Sequence, residues 1–465
     1  MAKVVVVGGG VAGLSAAWHL RTHSEHEVTV LEGSAAVGGR LRTDEVAGVQ
    51  VDVGAESMLA RRPEAVELLA ELGVAPTHPA PGGARLWSRE ALVPLPAGTL
   101  MGVPSRPTDA TGVLLPDEIE RALDEQPLDV TGDVSVGDLV DRALGPAVVD
   151  RLVEPLLGGV YAGHARRLSA QVCVPTLLEA ARHGRSLTAT AAEAGARAAS
   201  GPARPVFAGI EGGVGRLPQL LADALAARGG VVRTGVTVRE IKRTPGGWDV
   251  VTGPVPLPET VAADAVVVAV PARPASRLLT DVAPHAARLL GEIEYASMAV
   301  VTMAFERSAL GAVPVGSGFL VPPVDGRAIK AATFSSGKWP WLSATAADLF
   351  VLRVSLGRQG EEAVLQREDA DLVRLGLADL RSALGSLPDP VDTHVQRWGG
   401  GLPQYAVGHL DRIAAVQQDV ARVDGLALAG AAYEGVGIPA CIASGRSAAE
   451  RTITRLRVRA ERVGQ

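Results

Sequence analysis

Three glycines spaced Gly8-x-Gly10-x-x-Gly13 follow the apolar run KVVVV and open a segment of helical periodicity. This spacing suits a turn that carries backbone amides onto a pyrophosphate. The first glycine permits the tight turn and the second lets a phosphate approach the backbone. The third allows close helix–strand packing, and the helix N-terminus then faces the anion. Glu32 stands 19 residues beyond Gly13 (32 − 13), at the end of the next apolar run, where a carboxylate can hold ribose hydroxyls. Gly8, Gly9, Gly10, Val11, Ala12, Gly13 and Glu32 therefore read as a dinucleotide site. A second glycine pair follows, Gly38-Gly39, with Arg40 after it. It adds amides and a cation for the diphosphate, an extension that nicotinamide-binding domains generally lack, which points to a flavin dinucleotide.

Other chemistries find little support. No Ser-His-Asp set and no metal-ligand spacing is present, so no metal site is expected, and no general acid or base stands out. Cys173 and Cys441 lie far apart in apolar surroundings and read as two reduced thiols of a cytoplasmic protein. A net charge of −6 over 465 residues argues against a nucleic-acid partner, which needs a basic face. Residues 1–17 superficially resemble a signal peptide, but Gly8-Gly9-Gly10 would break its apolar helix. No apolar run is long enough to span a bilayer, and this reading leaves peripheral membrane contact open.

The periodicity says which elements hold the site. A strand over 3–7, a helix over 11–23 and a strand over 27–31 form a βαβ opening. Residues 75–111, rich in Pro and Gly, read as loops with short strands. Apolar residues recur at spacings of three and four from Leu139 through Val153 to Leu156, within a helical stretch over 116–199. A second α/β passage begins at Ile210, with a helix over 217–227 and strands at 231–232, 237–241 and 265–270. Alternation over 298–358 predicts an antiparallel sheet. A strand over 426–429, a Gly-rich loop and a helix over 439–456 close the chain.

The segment LEGSAAVGGRLRT resembles the flavin amine oxidase and protoporphyrinogen oxidase superfamily, and the resemblance extends over nearly the whole chain. VDVGAESMLARRPEAVELLAELG looks like the flavin-proximal segment. EPLLGGVYAG, RWGGGLPQY and EGVGIP resemble the porphyrinogen oxidase branch in particular, and their joint occurrence in this order is more specific than any one of them.

The resemblance implies an α/β fold with α+β insertions. A discontinuous Rossmann-like FAD-binding domain would comprise 1–75, 205–280 and 390–465. A substrate domain with a mixed or antiparallel sheet would comprise 76–115 and 281–389, and a helical insert 116–204. Matching residue by residue adds Gly33, Gly39 and Arg40 to the nucleotide site. It sets Ala55, Glu56, Ser57 and Met58 at the turn beside the flavin ring and Val238 at the adenine. Trp398 matches an aromatic near the flavin, and Val436, Gly437 and Ile438 match the closing loop. The FAD would be non-covalent, since Cys441 lies outside the context used for tethering.

The short bacterial members imply coproporphyrinogen III as substrate, with protoporphyrinogen IX as the alternative; an amine oxidase, a desaturase or a non-catalytic escort fits less well. Arg61, Arg62 and Lys338 are the candidate partners for the propionates, and Tyr161 a candidate pocket wall. The implied reaction is three two-electron oxidations, each passing a hydride to the flavin and losing an N–H proton. Molecular oxygen is the final acceptor, hydrogen peroxide the by-product, and the porphyrin would pass to the next enzyme of haem synthesis.

Overall fold

A computed structural model of the chain describes residues 1–200 and 205–463, so the last four residues of the expected helical insert, 201–204, lie outside it. The fold is mixed α/β, built on several sheets and a helical layer. The strand Lys3–Val7 sits at the centre of a five-stranded parallel sheet. Its neighbours are Glu27–Leu31 on one side and Ala265–Val268 on the other, with Val231–Arg233 and Leu426–Leu428 at the edges. Continuous Val runs suit this position because both faces are covered. On one face pack the helices Val11–His23, Leu217–Ala227 and Ile438–Val463. On the other lie a three-stranded antiparallel sheet (Val238–Thr244, Gly247–Thr252, Glu259–Ala263) and the helices Ala272–Leu279, Pro284–Gly291 and His409–Ala421.

The helix Val11–His23 is buried nearly all round, because sheet and C-terminal helix enclose it. Gly445 makes that crossing possible, since a Cβ there would overlap Ala12 O and stand 3.0 Å from Ala16 N. The expected C-terminal helix, 439–456, is longer in the structure, Ile438–Val463. Arg459, in the added turns, donates to Gly246 O, continuing a row in which Arg451 donates to Leu428 O and Arg455 to Val423 O and Leu426 O. Polar residues there are tied to the ends of other elements, which an apolar pattern does not register.

The second large sheet has seven strands in the order Asp392–Pro403, Tyr295–Glu306, Leu349–Leu356, Ile329–Thr333, Gly318–Leu320, Ala84–Ser88, Ala91–Pro94. It is antiparallel except where Gly318–Leu320 runs parallel to Ala84–Ser88. One face is closed by the helix Asp369–Leu384 over a core containing Ala299, Val301, Met303, Val354 and Leu356. The helical stretch forms its own core from Leu139, Val140, Ala143, Leu144, Val148, Leu152 and Val153, with Leu156 half-buried. A π turn over Val149–Val153 leads into the helix Glu154–Tyr161, which packs on Ile329–Thr333. No helix among the described residues is long and apolar enough to cross a membrane.

Substituting Gly445→Val should force two helices apart and lower unfolding free energy by ~1–3 kcal/mol, the usual cost of overpacking. Denaturant titration would show it, and an unchanged midpoint would mean the crossing is not tight.

Candidate active site

The glycine turn and the end of the second strand meet at the C-terminal edge of the parallel sheet. Gly8 adopts φ +111°, and a Cβ there would stand 2.6 Å from Ala269 O. A Cβ on Gly13 would overlap Gly8 O, so strand and helix touch through bare backbone. Gly10 is different, because a Cβ on it would meet nothing within 4 Å. The helix it caps has no acidic residue in its first turn and no side-chain cap, leaving the first amides free for an anion. Glu32 lies across this turn, its Oε2 accepting from Gly9 N (2.6 Å) and its Oε1 from Ser34 N (2.7 Å). A Cβ on Gly33 would come 3.3 Å from Thr237 Oγ1, which brings the loop before Val238 beside Glu32. Val236 N reinforces this by donating to Glu32 O at 2.8 Å. These features fit the diphosphate and ribose of a dinucleotide: room at Gly10, donors at the helix end and a carboxylate at the strand end.

The strip from Gly38 to Met58 links this edge to the seven-stranded sheet. Gly38 and Gly39 both have positive φ, and Gly38 N donates to Gly9 O at 2.9 Å. Arg40 stacks 5.4 Å from the centre of the Trp398 ring and donates to Gly399 O and Gly400 O at 3.1 and 2.7 Å. Trp398 Nε1 donates to Val53 O (3.1 Å), and a Cβ on Gly54 would come within 3.1 Å of the ring. Asp52 is buried and caps the turn after Gly212-Gly213, accepting from Val214 N and Gly215 N at 2.9 and 2.8 Å. Burial pushes its carboxyl up to about 7 against those two hydrogen bonds, and nearby Glu56 adds to the rise.

Ala55 continues the strip with its N–H on Arg40 O at 3.3 Å, and Met58 is buried opposite Ala208. Glu56 is buried between them. Its Oε1 accepts from Ser335 Oγ (2.5 Å) and its Oε2 from Lys338 Nζ (3.0 Å), with Arg353 Nη2 at 3.5 Å. Arg353 also donates to Gly54 O (2.7 Å) and Asp52 O (3.2 Å). Burial alone would raise the Glu56 carboxyl; Arg353, Lys338 and Ser335 outweigh it and hold the group at about 2.

The candidate propionate partners fall into different settings. Lys338 has its charge committed to Glu56 and also reaches Ser57 Oγ at 3.3 Å. Arg62 is exposed and pairs with Glu64 at 2.5 Å. Arg61 is exposed, with no ion pair among the described residues. Tyr161 is half-buried, edge-on to Tyr405 with ring centres 5.7 Å apart. Val436 and Gly437 are half-buried ahead of the buried Ile438, which begins the long C-terminal helix. Cys441 is buried one turn further on, and burial pushes its thiol up to about 12.

Sequence reasoning missed Asp52, Arg353, Met298, Arg358 and Lys330. Lys330 did carry a signal, being one of four lysines and lying inside the apolar stretch AIKAAT.

The Glu56 cluster has a pH signature. A carboxyl held near 2 when folded and at 4.5 when unfolded stabilises the protein fully above 4.5, and this is lost as pH falls through 2. Glu56→Gln should remove that dependence, worth ~3 kcal/mol by linkage. Unfolding free energies of both proteins from pH 5 to pH 2, on the order of three units, would reveal it; parallel curves would show the pairing is not formed.

Known proteins give the same picture. The flavin containing amine oxidoreductase model matches residues 11–453. The coproporphyrinogen III oxidase of Mycobacterium tuberculosis (strain H37Rv) is 36% identical over 461 residues, 95% of each chain. The protoporphyrinogen oxidase of Macaca fascicularis is 30% identical, covering 96% of this chain and 97% of that one. A crystal structure from Exiguobacterium sp. 255-15, described as a protoporphyrinogen oxidase, superposes with a TM-score of 0.83 at 30% identity, covering 97% and 98%. The chain belongs to the flavin-containing amine oxidoreductase family, and within it to the homologues of coproporphyrinogen III oxidase.

Proposed function

We propose that the protein binds FAD non-covalently and oxidises coproporphyrinogen III to coproporphyrin III, a six-electron reaction with oxygen as acceptor and hydrogen peroxide as by-product. The observation that carries this reading is the meeting of two surfaces along residues 38–58. The dinucleotide turn lies at one end of the strip and the Trp398 face of the seven-stranded sheet at the other. The relatives named above supply the substrate.

In this reading the parallel sheet and its flanking helices form a Rossmann-like FAD domain drawn from 1–75, 205–280 and 390–465, which lends the strand Asp392–Pro403 to the substrate sheet. The amides of Val11, Ala12 and Gly13 and the Arg40 guanidinium hold the diphosphate, and Glu32 takes the ribose. Val238 borders the adenine. Ala55 to Met58, Trp398 and the loop Val436-Gly437-Ile438 surround the ring. FAD supplies a two-electron acceptor that oxygen reoxidises. Around it the protein orients substrate and excludes water. The N-terminus of Ile438–Val463, without an acidic residue in its first turn, favours negative charge beside it. The buried, protonated Cys441 thiol is a poor nucleophile, which supports a non-covalent cofactor. Two free cysteines accord with a cytoplasmic setting.

Gly10→Val should give a folded but colourless protein, since its side chain enters space the diphosphate needs and its Cβ meets no protein atom within 4 Å. Normal flavin absorbance in that variant would remove this loop from the site. For the substrate, kcat/KM should favour coproporphyrinogen III over protoporphyrinogen IX, because four propionates engage more cations than two. Added salt should narrow the preference where Arg61 and Arg62 carry it, both being exposed. Porphyrin fluorescence measured with both substrates checks this, and a clear win for protoporphyrinogen would move the assignment to that substrate.

A further inference from the structure

Lys330 is set apart from the other three lysines. Lys3 is exposed, Lys242 pairs with Glu240 at 2.9 Å and Lys338 pairs with Glu56 at 3.0 Å. Lys330 is only 4% exposed and forms no ion pair among the described residues. Its Nζ contacts Met298 Sδ at 4.0 Å.

Its position in the sheet is also special. Ile329 pairs with Leu356 and Ala331 with Ser355, so Lys330 is the extra residue of a bulge between them. Bulges re-aim a side chain and are common beside active sites. The two faces here differ. Ala299, Ala332, Val354 and Leu356 are buried against the helix Asp369–Leu384. Met298, Ala331, Thr333, Arg353 and Ser355, on the other face, are half-buried, while Val300, Thr302 and Trp398 on that face are buried. The Lys330 contact to Met298 puts its amine on this second face, and Met298 is the direct cross-strand neighbour of Trp398.

The charges that act on Lys330 are Arg358, of the same sign, and Glu361, which attracts it without forming an ion pair with it. Arg358 repels it, and Arg358 itself holds Glu361 at 3.5 Å. From the helix Glu154–Tyr161, Glu154 accepts from Ala165 N through Oε1 at 2.9 Å while its buried Oε2 has no hydrogen-bond partner, burial raising the carboxyl, and burial also raises the Tyr161 phenol. From the helix behind the sheet, Asp379 accepts from Ile329 N at 3.0 Å. Arg353 on the adjacent strand is turned to Glu56 and Gly54. A buried ammonium with no counter-ion is costly. Burial foremost, with Arg358, lowers the amine to about 7. Near neutral pH it therefore offers a lone pair.

We infer that Lys330 Nζ accepts the pyrrole N–H proton that the porphyrinogen loses in each oxidation. The inference rests on the porphyrinogen reading above. In each round a macrocycle C–H bond gives its hydride to the bound flavin, and an N–H bond gives its proton to Lys330. A new double bond in the macrocycle replaces them. The ammonium then releases its proton, and oxygen leaves as hydrogen peroxide with the two electrons and two protons. A positioned acceptor of pKa near the working pH is the efficient kind.

The test is anaerobic mixing of the FAD-loaded enzyme with coproporphyrinogen III, reading the loss of flavin absorbance across a pH series for wild type, K330M and K330R. The wild-type rate should rise with pH through the neutral range and level off. K330M should be slower by ~100-fold or more and lack that rise, with little change in the substrate concentration giving half-maximal rate. K330R should be no faster than K330M, because a guanidinium cannot take the proton. K330M should retain FAD and melt at or above the wild-type temperature at pH ~6, where the unpaired ammonium costs most, the difference shrinking as pH rises. Wild-type rates and pH dependence in K330M would overturn the inference while leaving the substrate reading intact. Rescue by K330R, with K330M affecting only half-saturation, would overturn it in favour of a propionate anchor. If coproporphyrinogen fails to bleach even the wild-type flavin, the substrate reading and this inference fall together.

Discussion

The carboxylate of Glu56 lies in the seam between the two large sheets, and three side chains of the second sheet's domain reach it there. Lys338 and Arg353 bring positive charge and Ser335 a hydroxyl, so a group that burial would neutralise stays ionised. Removing either partner alone would strand a charge away from water, at a cost on the order of 3–5 kcal/mol. The pairing therefore fixes residues 52–58 against the seven-stranded sheet. Those residues are the ones proposed to border the flavin ring.

The rest of the site extends from that seam in two directions. Toward the nucleotide, Arg40 joins the strip to the Trp398 ring while Gly38 ties it to Gly9. In the other direction, one face of the sheet runs from Trp398 through Met298 to the bulge at Lys330. Lys330, buried, and Lys338, half-buried, make an instructive contrast. Lys338 has a carboxylate partner and remains a structural cation. Lys330 has none among the described residues, and its deeper burial lowers its amine to about 7.

Much of the fold was legible in the sequence. The Val runs of Lys3–Val7 and Glu27–Leu31, the glycine spacing between them and the three-and-four periodicity from Leu139 to Val153 depend on neighbours within a turn or a strand. Local rules suffice there, because burial on every side selects apolar residues without interruption. Glu32 was legible for the same reason, as a polar residue placed at the end of such a run. The last turns of Ile438–Val463 were not, since the contact there is from Arg459 to the distant Gly246 O rather than an apolar stripe.

The sequence by itself determined the dinucleotide turn, the order of α/β and antiparallel segments, and the set of polar residues available for chemistry. Only the tertiary structure decided which of those residues are partners. Glu56 and Lys338 are 282 positions apart, and Lys330 and Met298 are 32 apart. Whether a lysine is a surface cation, one half of an ion pair or an unpaired amine depends on the charges and the water within a few ångströms. Those surroundings are assembled by chain segments that share no local pattern, so the charge state of each lysine is a property of the fold.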